Sequence, residues 1–152
     1  MFQKILLNKF FILFAVIFVF LLIDFTNKYL AEFLHLLPGA YLVYAPSGFV
    51  LLFVLIAGWI GALGISIATL LASILYKFPS EYFLGFELAF VNGTAPLVAR
   101  QWCMQKLGMN EDLSNVTAKQ LLCVGLIFAL IDSALVQTIF FWNGISTNFV
   151  DA

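Results

Sequence analysis

An uncharged segment of forty-one residues, Leu36 to Tyr76, constrains this chain more than any other feature of its sequence. As a single α-helix the segment would be roughly 60 Å long, about twice the thickness of the hydrocarbon core of a bilayer. It must therefore fold back on itself, and an apolar hairpin of this kind requires a membrane. The composition agrees, because 64% of the residues are hydrophobic and only 10% are charged, whereas soluble domains have about 25% charged residues.

The order of the apolar segments predicts an all-α fold, a polytopic transmembrane helical bundle with about five spanning helices plus a short interfacial helix. Residues 1–152 form a single transmembrane domain. The spanning helices are expected at about 5–23, 41–57, 62–76, 82–106 and 118–142, and the interfacial helix at Asp24–Leu37. Within 41–57, Pro46-Ser47-Gly48 either interrupts the helix beside protein or a cavity, or simply marks the start of the helix.

The basic residues predict the orientation of the bundle. With the N-terminus inside, the cytoplasmic side holds Lys4, Lys9, Arg100, Lys106 and Lys119. The outer side then holds only Lys28 and Lys77. Because cytoplasmic segments carry the excess of lysine and arginine, we expect a multi-pass protein of a bacterial-type inner (plasma) membrane with a cytoplasmic N-terminus.

The helix expected at 82–106 has a small or polar side and a large apolar side. The first comprises Glu87, Val91, Asn92, Ala95 and Ala99, and the second Phe83, Phe86, Phe90 and Leu97. We expect the first side to face the bundle and the second to face lipid, because small residues allow helices to approach closely in membranes.

Asp132 lies near the middle of the helix expected at 118–142. Its arc of that helix is small and polar and comprises Gly125, Ala129, Asp132, Ser133 and Gln137. A charged side chain at the centre of a spanning helix costs about 2.5–3.5 kcal/mol on insertion scales, so it needs a partner or a function. Asn92 is expected at nearly the same depth on the neighbouring antiparallel helix.

Two interpretations of these polar faces remain open. In the first, a hydrogen-bonded clasp joins the helices through Asn92, Thr94, Asp132, Ser133 and Gln137. In the second, a lined pocket or proton site lets Glu87 and Asp132 meet a ligand. The candidate ligand-binding residues are Pro46, Gly48, Glu87, Asn92, Asp132 and Gln137.

The sequence offers no set of residues for catalysis or metal binding. The single histidine, His35, has no ligand-spaced partner, and the two cysteines, Cys103 and Cys123, lack metal-type spacing. We therefore expect no enzyme, no catalytic residue, no metal and no cofactor.

Several stretches of the chain stand in a familiar order. Ala45–Gly48 precedes an apolar helix and the glycines Gly58, Gly61 and Gly64, and Asn92–Arg100 precedes the polar loop Asn110–Val116. This order resembles the MASE family (first type) of bacterial membrane-associated sensor domains, with its "W-P-x-G … G … G" opening and its glycine–asparagine helix that ends in basic residues. The resemblance implies a bundle that binds a ligand or a partner, and no catalytic residues. Members of that family carry the bundle ahead of a cytoplasmic histidine kinase or cyclic-dinucleotide domain.

Together these features predict a non-enzymatic integral membrane sensory or interaction module. It would bind a small ligand or a membrane partner within the bundle. The alternatives are a small-solute transporter or carrier component, and an accessory subunit of a larger membrane complex. The expected partners are the lipid bilayer, a membrane protein or a second copy of the chain, and a small molecule. Nucleic acid is not expected, because the net charge of -1 provides no basic surface.

Overall fold

The computed structural model of the chain describes residues 2–33, 45–110 and 113–144. The described part is built from helices and short connections and contains no strand. The four α-helices are α1 (Phe2–Phe33), α2 (Ala45–Ala72), α3 (Tyr82–Leu107) and α4 (Ala118–Trp142). A π-helical segment, Ser73–Lys77, continues α2.

Each of the four helices contains a stretch long and apolar enough to cross a membrane. These stretches are Asn8–Tyr29, Pro46–Lys77, Tyr82–Leu107 and Ala118–Trp142. The predicted all-α architecture is confirmed, and the helices are compatible with a multi-pass membrane protein. The described residues give four helices of spanning length, where the sequence predicts about five.

The structure does not form a separate interfacial helix after Ile23. Instead, α1 continues without a break through Asp24 as far as Phe33. No glycine or proline interrupts this stretch, and Asp24 is bound by two side chains of the π-helical segment, Tyr76 and Lys77, so the acid does not have to end the helix. His35 and the rest of the predicted interfacial helix lie outside the described residues.

A sharp bend divides α2 at Gly58. The backbone angles there are φ 54° and ψ −125°, a conformation that glycine adopts much more readily than other residues. The Cα of Val54 lies 3.2 Å from the position that a Cβ on Gly61 would take. Residues seven apart in a straight α-helix would be separated by about 10 Å along its axis. The uncharged segment thus turns where the sequence predicts a division, and α2 consists of two helical parts joined by the bend at Gly58.

α1 and the part of α2 after Gly58 run in the same direction. Val16 of α1 lies beside Gly64, with its Cγ1 2.7 Å from the position of an added Cβ. Further along both helices, Asp24 forms an ion pair with Lys77. Because both contacts advance with the residue number, the two segments are parallel neighbours.

α3 packs antiparallel to the second part of α2. Its beginning lies beside the π-helical segment, where Ser73 Cβ is 2.9 Å from the Cβ position of Gly85. Its later part lies beside the bend, where Arg100 Nη1 is 3.7 Å from the Cβ position of Gly58. The bundle therefore has one end near Asp24, here named the Asp24 end, and an opposite end near Arg100, named the Arg100 end.

α4 returns antiparallel to α3, and a capping box fixes its start. Thr117 Oγ1 accepts a hydrogen bond from the backbone N–H of Gln120, and the Gln120 side chain accepts one from the Thr117 N–H. Gln120 Nε2 also donates to the Leu107 carbonyl, 2.8 Å away, at the end of α3. Gln120 therefore caps the start of α4 and also binds the end of α3, which holds the connection between these helices at the Arg100 end.

The side of α3 that is predicted to face the bundle is the more buried side. Ala95 and Ala99 are fully buried, whereas Phe86 and Phe90 are more than half exposed. Close packing against α2 explains the small side, because the Ala62 carbonyl oxygen is 3.0 Å from the Cβ position of Gly93. α3 also continues through Pro96 without a break in the helix.

Candidate functional site

Asp132 lies halfway along α4 and has one buried carboxylate oxygen, Oδ1, without a hydrogen-bond partner among the described residues. The buried residues of this helix are Val124 and Phe128. Asp132 follows Phe128 by one turn, at the edge of the face that packs on the bundle. An acid at this depth is costly unless another group satisfies it.

Part of the arc around Asp132 is exposed. Ala129 and Ser133 are exposed, and Gln137 is half-buried with its Oε1 unpartnered in the described part of the chain. Only 11% of the most apolar stretch of α4 is buried, against 50% for α3. The small and polar arc therefore lies at the edge of the packed face, with Ala129 and Ser133 exposed and one oxygen each of Asp132 and Gln137 buried.

Asn92 of α3 hydrogen-bonds to α2 and not to α4. Its Nδ2 donates to Thr69 Oγ1 over 3.3 Å, and the hydroxyl of Thr94 donates to the Phe90 carbonyl of its own helix. No hydrogen bond joins Asn92 to Asp132 in the described residues. The first of the two interpretations, a clasp between α3 and α4, therefore lacks this hydrogen bond, and Asn92 instead makes a polar contact between α3 and α2.

Glu87 lies near the Asp24 end, away from Asp132. Its Oε2 accepts a hydrogen bond from Asn143 Nδ2, at 2.8 Å, immediately after the end of α4. Asn143 follows Asp132 by eleven residues, which is about 16 Å along a helix axis. The two acidic side chains therefore do not share one site.

Pro46 and Gly48 lie in the part of α2 before the bend. Pro46 is fully buried and Gly48 is exposed. Leu51, one turn later, contacts α4, with its Cδ2 4.0 Å from the Cβ position of Gly125. Of the six predicted site residues, four lie on this part of α2 or on α4, namely Pro46, Gly48, Asp132 and Gln137.

An ion pair at the Asp24 end was not predicted from the sequence. Asp24 is 2% exposed and accepts hydrogen bonds from Lys77 Nζ, at 2.8 Å, and from the Tyr76 hydroxyl. The ammonium group of Lys28 lies 5.5 Å from the centre of the Tyr76 ring. The predicted orientation already places Asp24 and Lys77 on one side of the membrane, but nothing in the sequence indicates that their helices are neighbours.

A pocket at the Arg100 end was also not predicted. Its volume is about 350 Å³, and it is lined by Trp59, Thr94, Leu97, Val98, Arg100 and Gln101. The bend at Gly58 forms one side of the opening, a feature that depends on tertiary structure. The sequence indicates only a basic residue near the end of a helix.

Comparisons with protein-family models, curated proteins and solved structures found no match for the chain. The resemblance to the MASE sensor domains therefore stays a prediction. Within residues 2–33, 45–110 and 113–144, no group of three or more histidine, cysteine or acidic side chains could hold a metal ion.

Proposed function

We propose that the protein is a non-enzymatic membrane interaction module that binds a transmembrane helix of another protein along the outward arc of α4. The observation that carries the proposal is the half-buried Asp132, on a helix of whose most apolar stretch only 11% is buried. Beside it, Ala129 and Ser133 are exposed. Small residues let a second helix approach, and polar side chains at membrane depth bind one another.

The partner is a different protein and not a second copy. Identical chains in one membrane are related by an axis along the membrane normal, so equivalent residues meet at the same depth. Two copies joined by this arc would place one Asp132 against the other, and adjacent carboxylates repel. A helix with an arginine, lysine, asparagine or glutamine at that depth supplies a hydrogen-bond donor to the part of Asp132 that the chain leaves exposed.

The topology of the proposal has five passes. α1 and the part of α2 after Gly58 are parallel, so the chain between them must cross back. We assign that return to the helix predicted at 41–57, of which the structure describes the part from Ala45 onward, within a bacterial-type inner membrane and with the N-terminus in the cytoplasm. Exposed aromatic side chains near both ends of the bundle support these boundaries. They are Trp59 and Trp102 at the Arg100 end, and Tyr29, Tyr82 and Trp142 at the Asp24 end.

The module would either sense a signal and pass it to the partner or support the structure of the partner. The resemblance to the MASE domains implies the sensory role. In a sensory role the module would pass its signal through the bound helix. The separation between Glu87 and Asp132 supports this role over that of a carrier, because a carrier with two coupled acids needs them at one site near the midplane.

Photo-crosslinking in cells tests the proposed interface. A benzophenone amino acid at Ala129 or Ser133 should form an adduct with one membrane protein, whereas the same probe at the lipid-exposed Phe14 of α1 should not. The cross-linked peptide should come from a transmembrane segment that contains a basic or amide side chain. Asp132→Leu should abolish the adduct. Adducts of twice the mass of the chain would indicate a second copy and contradict the proposal, as would adducts with lipid alone.

A further inference from the structure

The pocket at the Arg100 end combines a charged head with an apolar wall. Arg100 and Gln101 form its polar part, and Leu97 and Val98 form its apolar part. Thr94 lies deepest along α3, about 9 Å from Arg100. A charged group beside an apolar wall matches the chemistry of an amphiphile, which has a charged headgroup and an apolar tail.

The guanidinium group of Arg100 lies beside Gly58. Nη1 and Nη2 are 3.7 and 4.0 Å from the position that a Cβ would take there, which is ordinary van der Waals distance. The positive φ of Gly58 is part of the sharp bend in α2. The guanidinium therefore lies against the bent backbone, at the mouth of the pocket.

The depth of the pocket along the bundle corresponds to the boundary between the hydrocarbon core of the membrane and the lipid headgroups. Trp59 lines the pocket and is 66% exposed, and Trp102 of α3 is 45% exposed. Exposed tryptophans of spanning helices concentrate at this boundary. Arg100 is thus at the depth of lipid phosphates, while Leu97 and Val98 are at the depth of acyl chains.

We propose that this pocket binds an anionic phospholipid. The guanidinium of Arg100 binds the phosphate, for which its planar fork of donors is suited. It carries five N–H donors and can hold more than one acceptor at a time. Gln101 donates to the headgroup, and Leu97 and Val98 contact the first part of an acyl chain. Basic pockets between spanning helices bind anionic headgroups in the same way.

The recognised group is a phosphate, which could also belong to a soluble anion. The apolar wall favours the lipid, because Leu97 and Val98 would gain nothing from a free phosphate ion. This proposal is independent of the partner on α4, since the two surfaces use different residues.

Native mass spectrometry of the full-length protein in detergent tests the lipid site, with phosphatidylglycerol and phosphatidylcholine as probes. The wild-type protein should retain phosphatidylglycerol in preference. Arg100→Gln should weaken this retention about tenfold, the size expected for one charge-assisted hydrogen bond. Lys106→Gln is the matched control, because it removes one exposed positive charge from the same helix and should leave retention unchanged.

A second variant tests the apolar wall without changing charge. Val98→Trp should fill the pocket from an exposed position and lower retention by a similar factor. Equal retention of the two lipids, or equal losses in Arg100→Gln and Lys106→Gln, would overturn the proposal. Binding of inorganic phosphate without preferential retention of phosphatidylglycerol would assign the pocket to a soluble anion and reject the lipid.

Discussion

Asp24 and Asp132 show two ways in which a long apolar helix holds an acidic side chain. Asp24 is buried and bound by Lys77 and Tyr76, so the fold itself satisfies the carboxylate. Asp132 has a buried oxygen that no described residue binds. The first acid therefore stabilises the bundle. The second is only half-buried and lies beside the exposed residues Ala129 and Ser133, where another protein could bind.

Substitutions of Asp132 separate the need for a hydrogen bond from the need for a charge. Asparagine is close in shape and still hydrogen-bonds, so Asp132→Asn should keep the partner of α4. Leucine removes every polar atom, so Asp132→Leu should lose the partner while the bundle keeps its detergent stability. The readouts are co-purification and thermal unfolding. Loss of the partner in both variants would mean that an ionised carboxylate is required, and retention in both would remove Asp132 from the interface.

Removal of Lys77 should destabilise the Asp24 end. Lys77→Met leaves the buried carboxylate without its ion pair, and we expect a loss on the order of 2–3 kcal/mol because the lysine is partly exposed. Thermal unfolding in detergent measures this loss. Lys9→Met removes an exposed lysine from the same bundle and should have little effect. If both variants unfold alike, the ion pair contributes nothing to stability.

At the scale of the elements, α2 and α3 form the tightest contact of the bundle. Gly85 and Gly93 allow it, since a Cβ at either position would meet Ser73 or Ala62 within about 3 Å. The π-helical end of α2, closed by the hydrogen bond from the Phe78 N–H to the Ser73 carbonyl, lies at the same contact. Gly125 of α4, in contrast, has only one side chain within 4 Å.

Two glycine-to-alanine changes test this difference. Gly93→Ala should cost about 1–3 kcal/mol, because its Cβ would press on the backbone of Ala62 and on Ser66. Gly125→Ala adds the same methyl group in open space and should leave stability unchanged or slightly raised, since alanine favours helix. Both are measured by thermal unfolding in one detergent. Equal stability of the two variants would mean that α2 and α3 are less close than described.

Local sequence patterns predict where the helices lie along the chain better than they predict which helices are neighbours. The helices at 82–106 and 118–142 were predicted within a residue, because a turn, a capping residue and an apolar period mark their ends. The inward side of α3 followed from the contrast between alanine and phenylalanine. The exposure of Ala129 and Ser133 beside Asp132 could not be predicted, since a small polar arc fits an internal contact as well as an external one. The ion pair of Asp24 and the pocket at Arg100 depend on which helices are neighbours.

At the scale of the whole molecule, the number of crossings decides on which side each connection lies. The connection after the π-helical segment contains Ser80, and the one before α4 contains Ser114; both residues are exposed. With a cytoplasmic N-terminus, five passes place Ser80 outside and Ser114 inside. A simple up-and-down arrangement of four helices would place them the other way round.

Labelling of introduced cysteines distinguishes these arrangements. In a background with Cys103 and Cys123 replaced by alanine, an impermeant thiol reagent applied to intact cells should label Ser80→Cys and not Ser114→Cys. After the cells are broken, both variants should react, which shows that each thiol is accessible. Labelling of Ser114→Cys alone in intact cells would contradict the five-pass topology.

The parallel pairing of α1 with the second part of α2 also sets an order of events during synthesis. Asp24 emerges from the ribosome 53 residues before Lys77, which corresponds to about 3–10 seconds at usual translation rates. During this interval α1 stands in the membrane with its acidic end bound only by water and headgroups. The return pass must enter the membrane before Lys77 can reach Asp24. The first helix to be made is therefore fixed in place only after the second part of α2 is complete, and this can precede the synthesis of α3 and α4.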